Sequence, residues 1–113
     1  MTDMIGKANN RAVKLMKRAI NGTAKVVRVS PASWDNVLAG EVEYKVGDYK
    51  VVFFSDGGEL DYISEISRKG EVWTHSDFVN RFKNDNDAKG RTNPTDWLEE
   101  EDLNKLENIL RSV

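Results

Sequence analysis

The sequence predicts an α+β fold: an N-terminal helix, a four-stranded antiparallel meander that a short fifth strand extends at its edge, a short helix, and a C-terminal helix packed on the sheet. Two observations carry this prediction. Residues Glu41–Arg68, EVEYKVGDYKVVFFSDGGELDYISEISR, are three apolar-rich runs separated by Gly-Asp and Gly-Gly turns, the punctuation of consecutive hairpins. Towards either end of the chain, apolar residues instead recur every three or four positions, the period of an amphipathic helix. At 113 residues the chain is long enough to bury roughly two-thirds of the surface its unfolded form exposes. Residues 1–113 are therefore read as one domain.

In order along the chain, Ile5, Ala8, Ala12, Met16, Ala19 and Ile20 mark a helix from about Asp3 to Asn21. Thr2 or Asp3 is placed to cap it, and Asn21-Gly22 supplies a left-handed stop. Its opposite face is a basic stripe, Lys7, Arg11, Lys14 and Arg18, flanked by Lys17. Thr23–Ser30 is β-branched and ends at Pro31, which cannot donate to a ladder, so it reads as a first strand with Trp34 in the loop beyond. Glu41–Val46 alternates charged and apolar residues, directing Val42, Tyr44 and Val46 inward. Gly47-Asp48 turns the chain into Tyr49–Phe54, whose large apolar groups fall on both pleat faces, as in a central strand. The first and last helices are expected to cover one face of the sheet, leaving Trp34, Trp73 or the short helix to shield the other.

Leu60–Ser67 follows as the fourth strand and Glu71–Thr74 as the short edge strand. Ser76-Asp77 is placed to cap a helical turn carrying Phe78, Val79 and Phe82. Asn84–Asn93, in which Ala88 is the one apolar residue, reads as a mobile loop. Asn93-Pro94-Thr95 signals the start of the last helix, with Thr95 as cap. Leu98, Leu103, Leu106, Leu110 and Val113 form its apolar stripe, with Ile109 beside it. Glu99, Glu100, Glu101 and Asp102 stand near the positive end of the helix dipole, and a kink or cap is expected between Leu98 and Asp102.

Composition narrows the classes of function. The absence of cysteine excludes disulfides, thiolate metal sites and cysteine nucleophiles, and agrees with a reducing compartment. With no apolar run of ten residues, no membrane span or signal segment is read, so a cytoplasmic location without a membrane partner is expected. The net charge of −2 conceals a division: residues 1–40 carry +5 and residues 41–113 carry −7. A fold that separates these regions would have one basic and one acidic surface.

Three features bear on chemistry. Asp56, Glu59 and Asp61 gather three carboxylates around a Gly-Gly turn, a set of oxygens suited to calcium or magnesium. Acids and glycines also make ordinary hairpin turns, and the spacing matches no complete calcium loop. Lys7, Arg11, Lys14 and Arg18 suit phosphates or an acidic protein face, or are simply a solvated helix face. His75, the one histidine, has Ser76 and Asp77 as sequence neighbours, but adjacent residues seldom form a triad, so it reads as a surface or helix-start residue. Trp34, Trp73 and Trp97 read as packing residues. No catalytic group, resident metal or cofactor is implied.

Phe53-Phe54-Ser55-Asp56-Gly57-Gly58-Glu59-Leu60-Asp61-Tyr62 resembles the signature of a family of short uncharacterised proteobacterial and prophage-encoded proteins, Phe-Phe-Asn-Asp-Cys-Asp-Glu-Leu-Asp-Tyr. The resemblance extends to the leading helix ending in Gly, to Ala39–Glu43, and to the tail from Asn93-Pro94 through Leu103, Leu106 and Leu110. Ser55, Gly57 and Gly58 replace the Asn, Cys and Asp of the pattern, so one acidic ligand is missing here. The resemblance implies the order of elements and, the family having no assigned activity, no chemistry.

The first functional reading is thus a small non-enzymatic interaction protein, of the inhibitor, immunity or phage counter-defence kind, that blocks a macromolecular partner. Its acidic patches would be Asp56, Glu59 and Asp61 with Glu99, Glu100, Glu101 and Asp102, able to steer onto a basic protein. The second is a nucleic-acid-associated accessory protein using the basic face of the first helix. The third is a metal-dependent hydrolase built on Asp56, Glu59 and Asp61.

Overall fold

The computed structural model describes residues 4–78 and 93–113, and side chains for residues 11–78 and 93–113. A helix, α1 (Met4–Asn21), leads into five strands, β1 (Val26–Arg28), β2 (Ala39–Val46), β3 (Tyr49–Asp56), β4 (Glu59–Arg68) and β5 (Glu71–Thr74). All neighbours are antiparallel and the spatial order is the chain order. The chain then begins a short helix at His75, and after the undescribed stretch it makes a 3-10 turn at Pro94–Trp97 and ends in α2 (Glu100–Ser112). The meander with a fifth edge strand is therefore present, and β3 lies at its centre.

The first strand is shorter than its β-branched run. After Arg28 pairs with Tyr44, the amides of Val29 and Ser30 both donate to the Glu43 carbonyl, and the Ser30 hydroxyl accepts from the Glu43 amide at 2.8 Å. A side chain thereby replaces the missing strand. Between β3 and β4 the register steps past Ser64 and Asp61, two bulges in the longer strand.

One face of the sheet carries the core. Val42, Tyr44, Val46, Val51, Phe53, Ile63 and Ile66 meet Ala12, Leu15, Met16 and Ala19 of α1 and Leu106 and Leu110 of α2. Leu98 joins this core and the half-buried Leu103 packs against it, while Val113, the last residue of the expected stripe, is exposed. The Tyr44 hydroxyl donates to the Leu110 carbonyl at 2.8 Å, tying β2 to the last turn of α2. Burial pushes the Tyr44 phenol up to about 12; Arg28 works weakly against this and Asp35 with it.

Trp34 does not shield the second face. It is fully buried in the same core, with its ring 6.4 Å from that of Tyr44, because its indole N–H is drawn to the Gly58 carbonyl at 2.8 Å. Trp73 stands opposite Ile66 and packs against the same cluster. Of the expected covers it is the short helix that reaches the second face, through His75; that face carries the buried Val52 and a ladder of half-buried rings. Phe54 stacks on Tyr62 at 5.0 Å, and Tyr62 on His75 at 4.1 Å.

Two caps also fall elsewhere than expected. Thr74 and Asp77 cap the turn at His75 reciprocally: the Asp77 carboxylate accepts from the Thr74 amide at 2.8 Å, and the Asp77 amide donates to the Thr74 hydroxyl at 3.4 Å. Asn93, rather than Thr95, caps the 3-10 turn, and Asp96 returns the bond to its amide. Asn93 is not part of a mobile loop but almost fully buried. Its carboxamide accepts from the Ile63 N–H and donates to the Ile63 carbonyl, beyond the point where β5 has ended. The remainder of Asn84–Asn93, with Val79, Phe82 and the residues before Met4, lies outside the described residues.

Candidate functional site

Charge is sorted along the strands. β3 runs from Tyr49 to Asp56, about 23 Å at the usual rise per residue, and different groups gather at its two ends.

At the Asp56 end the hairpin tip is held by three elements. Gly57 and Gly58 both take positive φ, 63° and 87°, as a two-residue turn of this hand requires. The Gly57 amide donates to Leu38, while the Gly58 carbonyl accepts from Trp34 and, at 2.9 Å, from Arg111 of α2. Asp56 faces Glu59 across the hairpin, and Asp61 is the exposed bulge residue. Glu59 does meet the second acidic segment: with Leu60 it lines a groove of about 230 Å³ whose other wall is Glu100, Leu103, Asn104 and Glu107 of α2. Glu107 is engaged structurally, accepting from the Leu60 amide at 3.1 Å and pairing with Arg111 at 3.6 Å. Glu99 is the N-terminal flank of α2 without a side-chain capping bond, and Glu100, Glu101 and Asp102 form its first turn. Glu101 pairs with Lys105 at 3.3 Å on the exposed surface.

Among the described residues no group of three His, Asp or Glu side chains is placed to hold a metal ion. Asp77 is occupied with Thr74, and the His75 Nδ1 lies 3.0 Å from the Asn93 amide nitrogen. Because Asn93 must turn its oxygen to the Ile63 N–H, that nitrogen donates, and His75 accepts with the proton on Nε2. The histidine is thus part of the ring ladder and its support.

The opposite end collects cations that sequence spacing does not connect. Of the basic stripe, Arg11, Lys14 and Arg18 are exposed, and the Lys7 side chain lies outside the described residues. Arg11 is separated from the rest by its surroundings: it lines a cavity of about 360 Å³ with Tyr49, Arg68, Lys69, Glu71 and Trp73. The Arg68 guanidinium lies 5.2 Å from the Tyr49 ring centre and donates to its hydroxyl at 3.2 Å. That hydrogen bond is the main cause holding Arg68 further towards its charged form. Tyr49, Arg68 and Lys69 also border a second cavity, on the face carrying Lys45 and Lys50. There Lys50 is paired with Glu65 at 3.0 Å and Glu43 at 3.7 Å. Sequence reasoning missed Tyr49, Arg68, Lys69 and Trp73. The one local signal was Lys69-Gly70, where a lysine occupies a turn position that favours glycine or asparagine.

The model of the family described as Domain of unknown function (DUF7693) matches residues 8–112. The chain belongs to this family. The family match runs from α1 through nearly all of α2, so both charged ends of the sheet fall within it. No curated protein and no solved structure matches the chain. No helix among the described residues is long and apolar enough to cross a membrane.

Proposed function

We propose that this chain is a non-enzymatic interaction protein that uses its acidic end to occupy a basic surface of a protein partner, as inhibitors, immunity proteins and phage counter-defence proteins do. The supporting observation is the groove lined by Glu59 and Leu60 of the hairpin tip and by Glu100 and Leu103 of α2. Two acidic segments some forty residues apart thus line one groove. Such complementarity accelerates encounter and selects partners, and it weakens with salt.

The test is capture from nuclease-treated lysate by the wild-type chain and by a Glu59→Lys/Glu100→Lys variant. Both positions are exposed, so the fold should survive, and melting temperature checks that it does. A protein captured by the wild type, lost with the variant and released by 0.5 M salt is the expected result. Equal capture by a folded variant contradicts the proposal.

A further inference from the structure

We propose that the cavity between α1 and the Tyr49 end of the sheet binds a phosphate monoester carried on a nucleoside, either a free nucleoside monophosphate or the phosphorylated end of a strand. The site is at the other end of β3 from the acidic groove, so it stands or falls separately from the protein-partner reading.

Charge is the first ground. Arg11, Arg68 and Lys69 come from a helix, a strand and a turn to line one cavity of about 360 Å³, against the single carboxylate Glu71. Among the described residues none of the three cations is in a salt bridge, and Arg68 is braced on an aromatic ring rather than on an acid. With Glu71 counted, the lining charge is about +2, Asp48 also acting on Arg68 from outside the cavity, and this complements a phosphate monoester, which carries roughly −1.5 to −2 at neutral pH, better than it does an internal diester.

The walls are the second ground. Tyr49 and Trp73, both half-buried, line the same cavity. Rings beside cations are the combination that receives a phosphate and its attached base, and the volume falls within the range of about 300–1,000 Å³ usual for small-ligand sites.

Backbone conformation is the third. Lys69 has φ 51° and is the only non-glycine at positive φ among the described residues. Asn, Asp or Gly would meet this turn at lower cost. A lysine at this position adds a cationic side chain to the cavity lining, and strain of this kind points towards function.

Titration calorimetry in 50 mM salt should use adenosine 5′-monophosphate, adenosine, inorganic phosphate, and a short oligothymidylate with and without a 5′-phosphate. Adenosine 5′-monophosphate and the 5′-phosphorylated strand are expected to bind at least tenfold more tightly than adenosine and the unphosphorylated strand. Inorganic phosphate should compete with both. Equal affinity for the nucleotide and the phosphorylated strand assigns the site to free nucleotides; a tenfold preference for the strand assigns it to strand ends. Lys69→Gly, which suits the turn and so keeps the fold, should weaken binding at least fivefold, and Arg11→Ala likewise. Lys105→Ala, on α2, should have no effect. Equal binding of adenosine and its monophosphate, no binding of any phosphorylated probe at 10 mM, or unchanged affinity in the Lys69→Gly/Arg11→Ala double variant would each overturn the proposal.

Discussion

The side-chain amide of Asn93 pairs with both backbone groups of Ile63, accepting from its N–H at 2.9 Å and donating to its carbonyl at 2.8 Å. It does in one residue what a neighbouring strand would do. Asn93→Ala should leave two buried backbone groups unpaired, at a cost of about 2–4 kcal/mol. Asn93→Asp keeps the size but sets a carboxylate oxygen against the Ile63 carbonyl, and should also destabilise the fold. Urea unfolding measures both, and a loss below about 0.5 kcal/mol in either would contradict this role.

Tyr44 predicts an alkaline limit. Its folded pKa is raised from 10.0 to about 12 by burial, so above pH 10 the native state retains a proton that the unfolded chain gives up. Stability is therefore unaffected by this group's ionisation below pH 10 and falls as pH rises towards 12, by about 2–3 kcal/mol in all. Melting curves from pH 9 to 12 should show this decline. Tyr44→Phe should flatten it while costing about 1 kcal/mol at pH 7 through the lost bond to Leu110.

Lys69→Gly should stabilise the chain. Relief of a left-handed lysine is worth about 1–2 kcal/mol, offset by the greater freedom of unfolded glycine. The net expectation is a gain of about 0.5–1 kcal/mol, seen as a rise of a few degrees in melting temperature. A fall in melting temperature would show that the lysine side chain contributes more to the fold than its backbone costs.

The Gly58 carbonyl separates two kinds of donor. Trp34→Phe removes a buried N–H and leaves a void, at about 2–3 kcal/mol. Arg111→Ala removes an exposed cation together with its contacts to Asp35 and Gly58, and should cost less than about 1 kcal/mol because such pairs are screened. Comparing unfolding midpoints tests the order, and a larger loss for Arg111→Ala would invert it.

What could be read in the sequence was set by neighbours along the chain. Alternation in Glu41–Val46, two-sided apolarity in Tyr49–Phe54 and the Gly-containing turns specify an antiparallel meander because each hairpin closes locally. Asn93 looked like loop because its partner lies thirty residues away and a polar side chain gives no periodic signal. Trp34 could not be assigned to a face without knowing that its N–H reaches Gly58. The acidic groove was half legible: both acidic segments stand out, but their meeting at Glu59 and Glu100 depends on how α2 lies along the hairpin. The basic cavity was not legible, since Arg11 and Lys69 are brought together only by packing.

The two short outer strands of the sheet bear on how a partner can approach. β1 has three residues and β5 four, against eight to ten in the strands they flank, and the overhanging backbone is met at Glu43 by Ser30 and at Ile63 by Asn93. These side chains confine any incoming sixth strand to the three residues of β1 or the four of β5, a short docking rail. Recruitment by strand addition is thereby disfavoured on both margins, and self-templated growth into fibres meets the same obstacle.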